Sequence, residues 1–326
     1  MNYKMMGRLI AQILLAEAAF MVPALIISLA GQDSQAILGF ALSILVILAV
    51  AGVLMFFARK AKKGFYAREG MVCVGLAWIV MSLLGCLPFW ISREIPSYLD
   101  GLFEIVSGFT TTGASILSNV EGLSNGMLYW RSFSHWVGGM GVLVFLLAVV
   151  PVSGRNDGFT MHLLRAESPG PNVAKLVPRI RSTAGILYIL YIVLTVVDFL
   201  FLLAGKMPVL EAVCTAFGTA GTGGFGVKND SMASYSPYIQ NVCTVFMLLF
   251  GVNFSCYYLL IMKQVKSVYE DEELRLYVGM VLGSVLLIVI NLRGFYGTLE
   301  ETVRHAFFQV ASIVTTTGFA TTDFDL

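Results

Sequence analysis

The sequence predicts an all-α membrane protein in which a helical hairpin is followed by repeated units of span, short helix, loop and span. Three observations lead there. Apolar residues make up 57% of the 326 positions and charged residues 13%, where soluble domains carry about a quarter charged. Apolar runs of about twenty residues recur, the length at which a helix crosses a bilayer core. Three Thr/Gly-rich stretches also interrupt the apolar sequence: Thr110-Thr111-Thr112-Gly113-Ala114-Ser115, Ala220-Gly221-Thr222-Gly223-Gly224-Phe225 and Thr315-Thr316-Thr317-Gly318-Phe319-Ala320.

Seven spans are expected, at 9–30, 36–57, 70–91, 130–150, 183–204, 238–262 and 276–292. The first is long for a signal-peptide core and lacks a small-residue cleavage pattern after it, so it reads as a retained helix. The runs 98–109, 208–218 and 300–314 are too short to cross. They read as re-entrant helices, each ending at one Thr/Gly stretch. The chain then divides into a hairpin at 1–68, a first unit at 69–160, a second at 161–268 and a third at 269–326 that stops after its loop.

Of the 21 Lys and Arg residues, fifteen fall on one side of this layout, among them Lys4, Arg8, Arg59 to Arg68, Arg155 and Lys263. Six fall on the other: Arg93, Arg131, Lys206, Lys228, Arg293 and Arg304. Positive residues accumulate on the cytoplasmic side. The N-terminus is therefore expected in the cytoplasm, with the three loops near the outer face of the membrane. The lipid bilayer is the expected surrounding. A net charge of +1 carries no argument for nucleic acid, and none is expected as a partner.

Irregular backbone cannot face lipid, because its N–H and C=O groups would go unpaired; it persists at membrane depth only where buried or lining water. A repeated loop whose carbonyls face a common axis is the design of a cation selectivity filter. Successive inward carbonyls require alternating backbone dihedrals, and glycine takes the positive-φ positions without steric cost. Threonine adds a hydroxyl oxygen. A short helix aimed at the path presents its partly negative C-terminal end to a cation. The second stretch also satisfies G-x-G-x-x-G, but that fingerprint needs a preceding strand and a following helix. The residues before it, Glu211–Gly218, read instead as a short membrane helix.

The residues Phe109-Thr110-Thr111-Thr112-Gly113, Trp130-Arg131-Ser132 and Trp136-Val137-Gly138-Gly139-Met140-Gly141 resemble the TrkH/KtrB/HKT superfamily of potassium transporters. So do Glu167-Ser168-Pro169-Gly170-Pro171, Pro178-Arg179-Ile180-Arg181 and Gly251-Val252-Asn253-Phe254-Ser255, and the leading hairpin matches the TrkH branch. The resemblance implies four non-identical pore units around one axis, passing potassium inward. It implies ion contacts from Thr111, Thr112 and Gly113; from Ala220, Gly221, Thr222 and Gly223; and from Thr316, Thr317 and Gly318. It implies potassium as the bound ion and the inner membrane of a bacterial cell as the location. The implied partners are a second copy in a homodimer and a cytosolic, TrkA-like nucleotide-binding regulatory subunit. The third unit lacks its closing helix and the fourth unit is missing. The chain is therefore expected to be a fragment of a longer protein, or to be completed by another chain.

Other residues carry weaker signals. Glu17 and Asp198 lie within spans and are expected to hydrogen-bond between helices rather than relay protons. Asn253 lies mid-span, either lining the path or joining helices. Glu104 is expected behind the first loop, holding it by hydrogen bonds. His135, His162 and His305 share no ligand spacing and read as satisfied polar groups. Trp90, Trp130 and Trp136 suit an interfacial aromatic belt. Gly138, Gly139 and Gly141 thin one helix face for close packing. The five cysteines, Cys73, Cys86, Cys214, Cys243 and Cys256, form no C-x-x-C pair and read as small core residues. The acidic run Glu270–Glu273 reads as a solvated connection, or as a regulator's docking point. A proton- or sodium-coupled carrier is the alternative. An enzyme is not expected, since neither H-E-x-x-H nor G-x-S-x-G occurs.

Overall fold

The computed structural model describes residues 2–59, 67–141 and 180–322, and every regular element among them is helical. Helix α1 (Tyr3–Ala30) starts where the Asn2 side chain accepts from the Met5 N–H, and α2 (Ser34–Phe57) where Asp33 accepts from Ala36. Each cap satisfies an N–H that has no partner within its helix. The two helices form the expected hairpin. Helices α3 (Ala67–Gly85) and α4 (Leu87–Ile91) together make the third span, Glu69–Ile91.

The chain then turns into the short helix α5 (Tyr98–Phe109), capped by Ser97, and passes through a loop into α6 (Asn125–Met140). The remainder of the expected span 130–150 lies outside the described residues. So do His162 and the motifs at Glu167–Pro171 and Pro178–Arg179. Helix α7 (Ile180–Ala204) leads to the short α8 (Val209–Ala220), and then comes α9 (Pro237–Gly251). Helices α10 (Phe254–Ile261), α11 (Val265–Tyr269), α12 (Glu272–Asn291) and α13 (Leu299–Val314) complete the order.

Among the described residues, five helices are long and apolar enough to cross a membrane, or six if the pair α9–α10 counts as one. That pair departs from expectation. The predicted span 238–262 is bent by 86° between Gly251 and Phe254. Asn253 does not sit mid-helix. It caps α10, its Oδ1 accepting from the Ser255 N–H at 3.0 Å while its Nδ2 donates to Glu273 Oε2 at 3.1 Å.

Two buried clusters organise the packing. One joins α1 to α6, with Phe40, Phe89, Phe109 and Trp130 at its centre. The other joins α7, α8, α9 and α13 around Tyr191, Phe246, Phe250, Phe308 and Phe319. Close approaches recur at glycines. A Cβ on Gly126 would strike Ala24 O at 2.9 Å, and one on Gly39 would strike Pro88 O at 2.9 Å, so α1 and α2 press directly against α6 and α4. All five cysteines are buried and unpaired, as expected.

Trp130 and Trp136 depart from the belt expectation. Trp130 is fully buried and donates its Nε1–H to Gly85 O at 2.9 Å, and Trp136 donates to Thr195 Oγ1 at 3.1 Å. Trp90, with Tyr98 edge-on at 5.8 Å, remains half exposed. Glu17 and Asp198 are fully buried, and neither carboxylate has a hydrogen-bond partner among the described residues, so the expected helix-to-helix hydrogen bonds are absent there.

Candidate functional site

The three Thr/Gly stretches are built alike, hydrogen bond for hydrogen bond. Helix α5 ends with Thr110 N–H on Val106 O, Thr111 on Gly108 O and Thr112 on Ser107 O, at 2.9, 3.0 and 2.9 Å. Helix α8 ends with Gly221 on Phe217 O, Thr222 on Thr219 O and Gly223 on Gly218 O. In α13 the donors are Thr315, Thr316 and Thr317, and the acceptors Ala311, Ile313 and Ser312. This is a helix C-cap closed by a residue in the left-handed region. That residue is threonine each time, with φ +53° at Thr111, +49° at Thr222 and +59° at Thr316. A β-branched side chain is normally excluded there, at a cost of about 1–2 kcal/mol.

A second positive φ follows two residues later, at Gly113 (+75°), Gly224 (+78°) and Gly318 (+86°). The expected register of the second loop therefore moves by one. The equivalent of Gly113 and Gly318 is Gly224, not Gly223, and Ala220 ends helix α8. Gly221 and Gly223 are glycine for a different reason. A Cβ on either would overlap His135 of α6, its backbone in one case and its imidazole in the other. In loops one and three the matching positions hold threonine pairs, with Thr110 Oγ1 2.8 Å from Thr112 Oγ1 and Thr315 Oγ1 2.8 Å from Thr317 Oγ1. In loop two the histidine ring occupies that space.

The loops also abut one another. A Cβ on Gly113 would overlap Gly223 O, and a Cβ on Gly224 would overlap Thr317 O, while a Cβ on Gly318 would meet nothing among the described residues within 4 Å. None of the nine carbonyl oxygens of 111–113, 222–224 and 316–318 accepts a hydrogen bond among the described residues. Thr112, Thr316 and Gly318 are exposed, while Gly223 and Thr317 are buried. Nine free carbonyls in three matched loops are available to an external donor or to a cation.

Behind the loops lies a polar clasp. Glu104 of α5 is fully buried, as expected, and its Oε2 accepts from the Ile116 N–H at 3.0 Å. Ser115 Oγ donates to both of its oxygens, at 3.0 and 3.1 Å. Arg131 of α6 donates to Glu104 Oε1 at 2.5 Å and to Gly226 O at 2.9 Å. Its guanidinium sits 3.6 Å from the centre of the Phe225 ring, on which His135 also stacks at 4.0 Å. Arg131, His135 and Phe225 were not singled out by sequence as a site. The available signal was a pair of opposite charges, Glu104 and Arg131, each set within apolar sequence. His135 is less satisfied than expected: Phe225 N–H reaches its Nδ1 only at 3.5 Å, and its Nε2 has no partner among the described residues.

Each unit also rests on the one before. Tyr191 of α7 donates to Trp136 O of α6 at 3.1 Å, and Tyr277 of α12 donates to Leu248 O of α9 at 3.1 Å. Three residues further along each closing helix, a Cβ on Gly139 would meet Gly221 Cα at 2.7 Å, and one on Gly251 would meet Thr315 Cγ2 at 2.7 Å. The closing helix of one unit thus seats the loop of the next. Arg304 of α13 extends this by donating to Gln240 of α9. Between the segments that follow the loops, Val120 N–H donates to Asn229 Oδ1 at 2.7 Å and Met232 N–H to Ala320 O at 2.9 Å.

Long apolar helices around short helices that end in free carbonyls define a multi-pass membrane protein of the transporter and channel class. The family of cation transport proteins called TrkH matches residues 37–293. The Trk system potassium uptake protein TrkH of Salmonella typhimurium is 33% identical over 328 residues, covering 98% of this chain and 67% of that protein. The Trk system potassium uptake protein TrkG of Escherichia coli is 30% identical, covering 93% and 63%. The crystal structure of the potassium transporter TrkH from Vibrio parahaemolyticus superposes with a TM-score of 0.85 at 27% identity, over 99% of this chain and 66% of that one. The chain belongs to the TrkH family. It spans about two thirds of the length of these relatives.

Proposed function

We propose that this chain forms part of a path through which potassium ions enter a bacterial cell across the inner membrane, with the ion as substrate. The observation that carries this reading is the set of nine unpaired carbonyls on three equivalently capped loops. An ion leaving water needs replacement oxygens at fixed positions, and backbone carbonyls provide them without a counter-charge. The contact segments are Thr111 to Gly113, Thr222 to Gly224 and Thr316 to Gly318, the middle one in its shifted register. The relatives' names, potassium uptake proteins, agree in substrate. The division at 1–68, 69–160, 161–268 and 269–326 follows the three loop-bearing units. The N-terminus lies on the cytoplasmic side. The exposed charges around α11 and the start of α12, among them Lys266, Glu270 and Glu273, offer a regulator a docking surface on that side.

Uptake of potassium, rubidium and sodium by cells lacking their own potassium uptake, expressing the native reading frame, tests the reading. Gly113→Ser and Gly318→Ser should lower the preference for potassium over sodium while leaving membrane abundance unchanged. At Gly318 the strain of a side chain at positive φ, about 1–2 kcal/mol, matches the ~1.4 kcal/mol that separates two ions tenfold; at Gly113 the side chain would also displace Gly223 O. Unchanged relative uptake of the three ions in both variants refutes it.

A further inference from the structure

We propose that Arg131 positions the second loop for ion selection, and that Glu104 cancels the positive charge Arg131 would otherwise place beside the ion path. The proposal rests on the potassium-path reading above. Arg131 is 3% exposed and Glu104 is fully buried. A buried guanidinium keeps its proton and so needs a counter-charge. Glu104 is the one carboxylate paired with it among the described residues.

The connections of the pair are specific. Through Arg131 it holds Phe225 and the Gly226 carbonyl, the two residues that leave the second loop. Through Glu104 it holds Ser115 and Ile116, which leave the first. One ion pair therefore fixes the spacing between two adjacent loops. It has no copy in the other units: at the position of Glu104 relative to the loop, α8 carries Thr215 and α13 carries Gln309. A side chain needed only to fill space behind the loops would not have to be charged, still less a cation beside a cation path. The guanidinium supplies what a smaller group cannot, a planar fork that reaches a carboxylate and a carbonyl together. The carboxylate is then required for permeation as well as for packing.

The test separates charge from shape by measuring potassium uptake rate and potassium-to-sodium preference in cells, for variants matched in membrane abundance. Glu104→Gln leaves the guanidinium uncompensated and should cut the uptake rate by about tenfold or more, since like charges repel strongly at low dielectric. Arg131→Gln leaves a negative charge, so the rate should stay within about threefold while the ion preference falls, because the Gly226 carbonyl loses its fork. The double variant carries no charge and should recover the rate of Arg131→Gln without recovering preference. A merely structural role predicts equal losses in both single variants and no recovery in the double; that result overturns the proposal. If the single variants do not reach the membrane, Arg131→Lys decides, because it keeps the charge and loses the fork. A preserved rate with lowered preference supports the proposal, and unchanged preference overturns it. Absence of potassium uptake by the unmodified protein would instead defeat the potassium-path reading itself.

Discussion

At the scale of single residues, two glycines one position apart in the second loop serve different ends. Gly224 has φ +78° and faces Thr317 O, whereas Gly223 makes room for the His135 ring. The two requirements are experimentally separable. Gly223→Ala should abolish the preference for potassium, and His135→Ala in the same chain should restore part of it by vacating the space the methyl needs. Gly224→Ala should be equally damaging, and His135→Ala should leave it unrescued, because its costs are a positive φ and a clash with Thr317 O, neither of which the ring sets. Relative rubidium and sodium uptake of the four variants checks this, and equal rescue of both glycine variants would contradict it. No reading of G-T-G-G-F-G alone could assign these roles, since both positions are glycine. What decides them is a histidine about ninety residues earlier in the chain.

At the scale of elements, the short helices were the most legible part of the sequence. The run 98–109 matches α5 residue for residue, because a Ser cap, an amphipathic dozen and a Thr/Gly stop all agree. The sixth span was the least legible. Hydropathy registers composition and not direction, so the 86° break after Gly251 passes unnoticed in a continuously apolar run. Gly138 and Gly139 were legible as thin positions but not as contacts with two different units. A Cβ on Gly138 would overlap Phe109 O of α5, and one on Gly139 would crowd Gly221 of the second loop. Alanine at either should cost about 1–3 kcal/mol, the range for overpacking against unyielding backbone. Thermal unfolding in detergent should therefore show a lowered midpoint for both. Alanine at Gly75, whose Cβ would meet nothing among the described residues within 4 Å, should not lower it. Equal midpoints for all three would show that α6 has slack there.

At the scale of the molecule, orientation remains an inference from charge, and the structure changes how two of those charges count. Arg131 and Arg304 stood among the outer-side residues, yet both are enclosed and hydrogen-bonded, to Glu104 and Gly226 in one case and to Glu300 and Gln240 in the other. Without them the asymmetry favouring a cytoplasmic N-terminus becomes steeper. The five native cysteines are buried, so single introduced thiols report cleanly. Asn119→Cys and Asp230→Cys should react with an impermeant reagent applied to intact cells, and Lys266→Cys should react only after the cells are opened. Labelling of Lys266→Cys from outside would invert the topology and remove the loops from the outer face.

The staggered seating of the units has a consequence for how the chain is made. Helix α6 supplies the surface on which the second loop settles, and α9 the surface for the third, with Tyr191 and Tyr277 as matching latches. Chains emerge from the ribosome N-terminus first, and earlier parts fold before later ones. The second and third short helices therefore arrive at berths that already exist. Reversing the order of the units in the gene would present each loop to the membrane before its berth had been laid down.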